Sequence, residues 1–78
     1  MNKSRRARID KILEKLEEIN EELSSIQEEE NDAYNNLPFS IQESERGEKM
    51  YDAVYNLDAA HGTIEEITDY LTEAKGED

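Results

Sequence analysis

Ile9-Asp10-Lys11-Ile12-Leu13-Glu14-Lys15-Leu16-Glu17-Glu18-Ile19-Asn20-Glu21-Glu22-Leu23-Ser24-Ser25-Ile26 is the stretch that decides the fold of this 78-residue chain. Its apolar residues fall at Ile9, Ile12, Leu16, Ile19, Leu23 and Ile26, and the series continues at Ala33 and Leu37 after a break at Glu30. Spacings that alternate between three and four place these residues on one side of a helix, which is a heptad repeat. One core column then holds Ile9, Leu16, Leu23, Glu30 and Leu37, and the other holds Ile12, Ile19, Ile26 and Ala33. Such regularity speaks against disorder, despite a composition in which 38% of residues are charged.

The pattern stops at Asn35-Asn36-Leu37-Pro38-Phe39. Pro38 cannot continue a helix and disfavours the helical conformation at Leu37, so the chain turns here. Ser40 and Glu43 have capping-box spacing, which predicts a second helix from about Ser40. In it Met50, Leu57, Ile64 and Leu71 recur every seven residues, flanked by Ala53, Ala60, Ile67 and Ala74 at the same interval. The phase runs straight through Gly62, which predicts one continuous helix rather than two. Small side chains on one edge, with Gly47 just before them, allow another helix to approach closely.

These readings give an all-α fold: one domain over residues 1–78, with helix 1 over about 3–36, a turn at 37–39 and helix 2 over about 40–75. Two helices of similar length joined by a short turn form an antiparallel, coiled-coil-like hairpin, each arm roughly 50 Å long at 1.5 Å per residue. Pairing outward from Pro38, residue numbers across the seam are expected to sum to about 76. This sets Ile26 against Met50, Ile19 against Leu57, Ile12 against Ile64, Arg5 against Leu71 and Glu30 beside Arg46. It also sets the basic amino terminus against Asp69, Glu73, Glu77 and Asp78. Two helices alone leave the wide face of the second uncovered, so a homodimer forming a four-helix bundle is expected.

The inventory narrows the chemistry. Without Cys, no disulfide, thiolate metal site or thiol nucleophile is available. The basic opening residues are followed by a segment interrupted by charges from Asp10 to Glu22, so neither an export signal nor a membrane span is read, and a cytoplasmic setting in a bacterial host cell is expected. Asp58 and His61 have the spacing of a carboxylate-histidine metal element, but Asp58 lies beside the core column. No metal or other cofactor is therefore assigned. A lone His without a facing nucleophile, and glycines without phosphate-loop spacing, point away from an enzyme.

Charge is the feature that remains. Acids outnumber bases 21 to 9, giving a net charge of −12, and Leu16 to Glu45 holds ten acids without a Lys or Arg. Nucleic acid is repelled by such a surface, so direct binding is not expected. Spread over a roughly 50 Å rod, the charge amounts to about one per 4 Å, and two hairpins side by side approach the one per 1.7 Å of duplex DNA. The acids Glu17, Glu18, Glu21, Glu22, Glu28 and Glu29 are thus candidate partner-binding residues for a DNA-binding enzyme. The aromatics Tyr34, Phe39, Tyr51 and Tyr55, gathered near the turn, are candidate anchors for a protein partner.

The run Asn36-Leu37-Pro38-Phe39-Ser40-Ile41-Gln42-Glu43-Ser44-Glu45-Arg46-Gly47, followed by Leu57-Asp58-Ala59-Ala60, resembles the turn and second helix of small acidic helical-hairpin proteins of unknown function encoded by phages, prophages and mobile elements of low-GC Gram-positive bacteria. The resemblance covers about half of the chain and implies a phage or bacterial setting and no catalytic residue. The functional expectation is a non-enzymatic acidic protein-binding module, in its sharpest form a DNA-mimicking inhibitor or regulator of a nucleic-acid-binding protein. The alternative is a structural or assembly coiled coil whose acidity serves solubility only.

Overall fold

The structure, a computed structural model, describes residues 1–76. Three helices follow in order: α1 (Lys3–Asn35), the single-turn α2 (Phe39–Gln42) and α3 (Glu45–Lys75). Helices α1 and α3 pack along each other in a rod of 58 × 15 × 14 Å. Three cross-helix contacts fix their direction: Gln27 with Asp58, Asp10 with Lys75, and Tyr34 with Tyr51. In all three the residue numbers sum to 85, so the helices run antiparallel in constant register.

That register corrects the expected one. The turn contains the extra helix α2, which moves its centre several residues past Pro38 and shifts every layer. Ser44 rather than Ser40 caps the second long helix: its Oγ accepts from Gly47 N at 3.4 Å, and α3 begins at Glu45. The pairings of Ile26 with Met50, Ile19 with Leu57, Ile12 with Ile64 and Arg5 with Leu71 are accordingly displaced. Glu30 and Arg46 form no ion pair. At the open end the polarity is inverted, because Lys75 of α3 reaches Asp10 of α1 at 2.8 Å. Asp69 and Glu73 lie farther along the rod than the basic residues, and Glu77 and Asp78 are outside the described residues.

The seam uses one expected column and replaces the other. On α1 the half-buried residues are Arg6, Ile9, Leu13, Leu16, Asn20, Leu23, Gln27, Glu30 and Tyr34, and Leu37 just beyond its end is half-buried as well. The column Ile9, Leu16, Leu23, Glu30 and Leu37 is therefore at the seam, but its companion is Arg6, Leu13, Asn20, Gln27 and Tyr34. Ile12, Ile19 and Ile26 remain 45%, 50% and 43% exposed. On α3, Met50, Leu57, Ile64 and Leu71 face the seam together with Val54, His61, Thr68 and Lys75, while Ile67 and Ala74 stay exposed. Either choice preserves alternation of three and four, since a heptad column can be completed from either side. The side chosen follows from where the turn delivers α3.

α3 is continuous through Gly62, as its phase predicts. Gly47 has a different task from the one its place in the sequence suggests. It is the one fully buried residue among those described, and a Cβ there would lie 2.1 Å from the carbonyl oxygen of Gln42 and 2.5 Å from that of Ile41. The close approach it permits is to the backbone of α2, within the chain. The Gln42 amide then donates to the carbonyls of Tyr34 (3.1 Å) and Leu37 (3.2 Å), closing the carboxyl end of α1.

The opposite end is tied less heavily. Asn2 caps α1 by accepting from Arg5 N at 2.8 Å. Basic side chains at a helix amino terminus oppose its dipole, but here Arg6 donates to the carbonyl of Lys75 at the carboxyl end of α3, where positive charge is favoured.

Candidate protein-binding surface

Assigning Leu13 and Leu16 to heptad positions a and d makes the two flanks of the seam chemically distinct. In an antiparallel pair, the e positions of the two helices share one flank and the g positions the other. The e flank carries Asp10, Glu17 and Ser24 from α1 and Tyr51, Asp58, Glu65 and Thr72 from α3. All three cross-helix contacts that set the register involve this flank. The g flank carries Ile12, Ile19, Ile26 and Ala33 from α1 and Ala53, Ala60, Ile67 and Ala74 from α3.

An open groove runs along the e flank. Its lining includes Glu14, Glu17, Glu21 and Glu28 of α1 and Glu65 and Asp69 of α3, with neither Lys nor Arg. Asn20 and His61 sit at its floor, where the long apolar side chains of the seam are replaced by polar ones. The Asn20 Oδ1 atom is buried and accepts no hydrogen bond from the protein. His61 Nδ1 lies 3.6 Å from Glu65 Oε1, one turn along the same helix. Asp58 is engaged elsewhere, accepting from Gln27 Nε2 at 3.2 Å. Among the described residues no group of three or more His, Asp or Glu side chains is arranged to hold a metal ion.

The candidate acids divide between two surfaces. Glu17, Glu21 and Glu28 line the groove, whereas Glu18, Glu22 and Glu29 do not. All six are exposed. The heptad column of Asn20, unassigned in the sequence reading, is what brings Glu65 and Asp69 opposite them. The polar members of that column were the available signal, because Asn and Gln recurring seven residues apart at 20 and 27 mark a wet flank.

The aromatics are likewise divided. Tyr34 and Tyr51 meet edge to face with ring centroids 6.0 Å apart, joining the two long helices below the turn. Phe39 on α2 and Tyr55 on α3 are 73% and 68% exposed. Tyr51 and Tyr55, one helical turn apart, present neighbouring rings on the same side of α3.

No family model, curated protein or solved structure matches this chain. No helix among the described residues is long and apolar enough to cross a membrane.

Proposed function

We propose that this protein is a non-enzymatic acidic binding module that dimerises and occupies the nucleic-acid-binding surface of a protein partner. The observation that carries this reading is the groove in which acids from α1 and α3 face each other without a Lys or Arg between them. A net charge of −12 along 58 Å is about one charge per 5 Å, and two rods side by side would reach about one per 2.5 Å, against one per 1.7 Å in duplex DNA. Low-dielectric walls concentrate such a field, which favours a basic channel as partner. The resemblance to small acidic proteins of phages and mobile elements supports a bacterial, cytoplasmic partner of this kind, an inhibited or regulated DNA-binding enzyme.

A second reading, a structural or assembly coiled coil kept soluble by its acids, is favoured by the exposed isoleucines of the g flank. Capture of partners from a Gram-positive lysate, repeated with Glu17, Glu18, Glu21, Glu22, Glu28 and Glu29 replaced by Gln, separates the two. Salt-sensitive capture of nucleic-acid-binding proteins that the six substitutions weaken supports the inhibitor, since Gln retains helix propensity without charge. A partner indifferent to them sinks it. If exposed aromatics anchor the partner instead, Phe39→Ala or Tyr51→Ala removes about 2 kcal/mol or more of binding energy, with little dependence on salt.

A further inference from the structure

We infer that the g flank is the dimer interface, and that the second copy lies on it antiparallel to the first, related by a twofold axis passing at the level of Ile19 and Ile67. The inference rests on the self-association in the proposed function and assigns it a face and a direction.

Surface area is the first argument. A folded monomer of 9.1 kDa exposes about 4,900 Å², whereas this chain exposes 6157 Å² and buries no apolar side chain fully. The excess is about 1,250 Å² per chain, or roughly 2,500 Å² for two, which is the size of an obligate homodimer interface. Among the described residues, the long apolar strip available to bury it is the g flank. There Ile12, Ile19, Ile26 and Ile67 are each at least 41% exposed, interspersed with alanines that allow close approach.

The strip is also self-complementary. The isoleucines of α1 are centred on Ile19, with Ile12 and Ile26 equidistant, and on α3 Ala60 and Ala74 are equidistant from Ile67; Ala33 and Ala53 lie outside this symmetric part, toward the tip. The register that joins Gln27 to Asp58 places Ile19 and Ile67 level with each other to within one residue. A single twofold axis therefore sets Ile19 and Ile67 each on its own symmetry mate, Ile12 on Ile26 of the second copy and Ala60 on Ala74 of the second copy. Such an isologous contact closes at two chains.

Charge selects the direction. Beside the isoleucines, the outer border of α1 reads Arg8, Lys15, Glu22 and Glu29 at heptad spacing, two bases followed by two acids. Reversing the second copy brings Arg8 against its Glu29 and Lys15 against its Glu22, four complementary pairs in the dimer. A parallel copy instead lays α1 over α3, whose corresponding border among the described residues reads Lys49, Asn56, Thr63 and Tyr70, with a single base near the tip and no acid to match the bases of α1. The antiparallel arrangement thus offsets part of the repulsion between two chains of charge −12.

Sedimentation and oxidative cross-linking test this in the full chain, whose lack of Cys makes single introduced thiols unambiguous. The expected results are a dimer at micromolar concentration and a disulfide-linked dimer from Ile19→Cys. Ile12→Cys and Ile26→Cys should cross-link when mixed and not separately. Ile19→Glu with Ile67→Glu should weaken dimerisation at least 100-fold, and helicity by circular dichroism reports whether the hairpin is kept. Lys15→Glu should weaken the dimer about tenfold and Glu22→Lys in the same chain should restore it, although the two residues are too far apart to touch within one helix. A monomer at high micromolar concentration overturns both the inference and the self-association. A dimer that survives the double Glu substitution with helicity intact, or that leaves Ile19→Cys uncross-linked, overturns the face and direction alone.

Discussion

The tip of the hairpin and its shaft are built on different principles. At the tip, α2 folds back onto the first turn of α3, Gly47 is buried against backbone oxygens, and Gln42 and Ser44 satisfy helix-end groups within a few residues of each other. Along the shaft no residue is fully buried, and polar groups such as Asn20, Gln27 and Glu30 occupy seam positions. Tip order comes from steric fit and hydrogen bonds between neighbours in sequence, whereas shaft order comes from many half-buried contacts that a second chain can supplement. A short local motif thus sets the register that the long repeat shares.

Two glycines in the same helix provide the sharpest contrast. Gly47→Ala places a methyl group 2.1 Å from an immobile backbone oxygen, so it should cost about 3 kcal/mol in urea unfolding, because α2 must leave its seat. Unchanged stability would show that α2 is not docked. Gly62 has nothing within 4 Å of a built Cβ, so Gly62→Ala should stabilise by about 1 kcal/mol through helix propensity alone. Opposite signs at the two positions are the expected outcome.

Between these in size lies Asn20. Replacing it with Leu removes a buried unpaired acceptor from the seam and fills the a column, which should raise stability by about 1.5 kcal/mol. Glu30→Leu, also at the seam, should act in the same direction by about 1 kcal/mol. If either substitution instead unfolds the protein in a thermal melt, the residue is held by contacts that this register does not provide.

The smallest effect belongs to the open end. Lys75 and Asp10, 2.8 Å apart but with side chains 30% and 54% exposed, should contribute about 0.5 kcal/mol in a double-mutant cycle and less at high salt. Amide exchange should be fastest there, and slowest where Gln42 and Gly47 hold the tip. Equal protection at both ends would remove the distinction between tip and shaft.

Much of this was legible in the residues. The repeat Ile9, Leu16, Leu23 named one seam column, Pro38 marked the end of the first arm though not the centre of the reversal, and unbroken phase carried α3 through Gly62. The candidate acids were legible as a charge run, since Glu on an exposed helix face is visible in any heptad projection. Which of them share a groove was not, because that depends on the residues delivered opposite by α3. Glu65 and Asp69 join Glu17 and Glu21 only once the register is known.

Two long helices, the chain reversal between them and the excess of negative charge follow from the residues alone, through periodicity, proline sterics and composition within each segment. Tertiary structure decided which heptad column completes the seam. The columns Ile12-Ile19-Ile26 and Leu13-Asn20-Gln27 lie on either side of Leu16 and Leu23, and local pattern favours the more apolar one. The docking of α2 against Gly47 determines from which side α3 arrives, and the polar column is enclosed while the isoleucines are left outside. A one-turn helix of four residues thus outweighs the hydrophobic preference of a much longer repeat, because it is part of the chain reversal whose geometry the paired arms share.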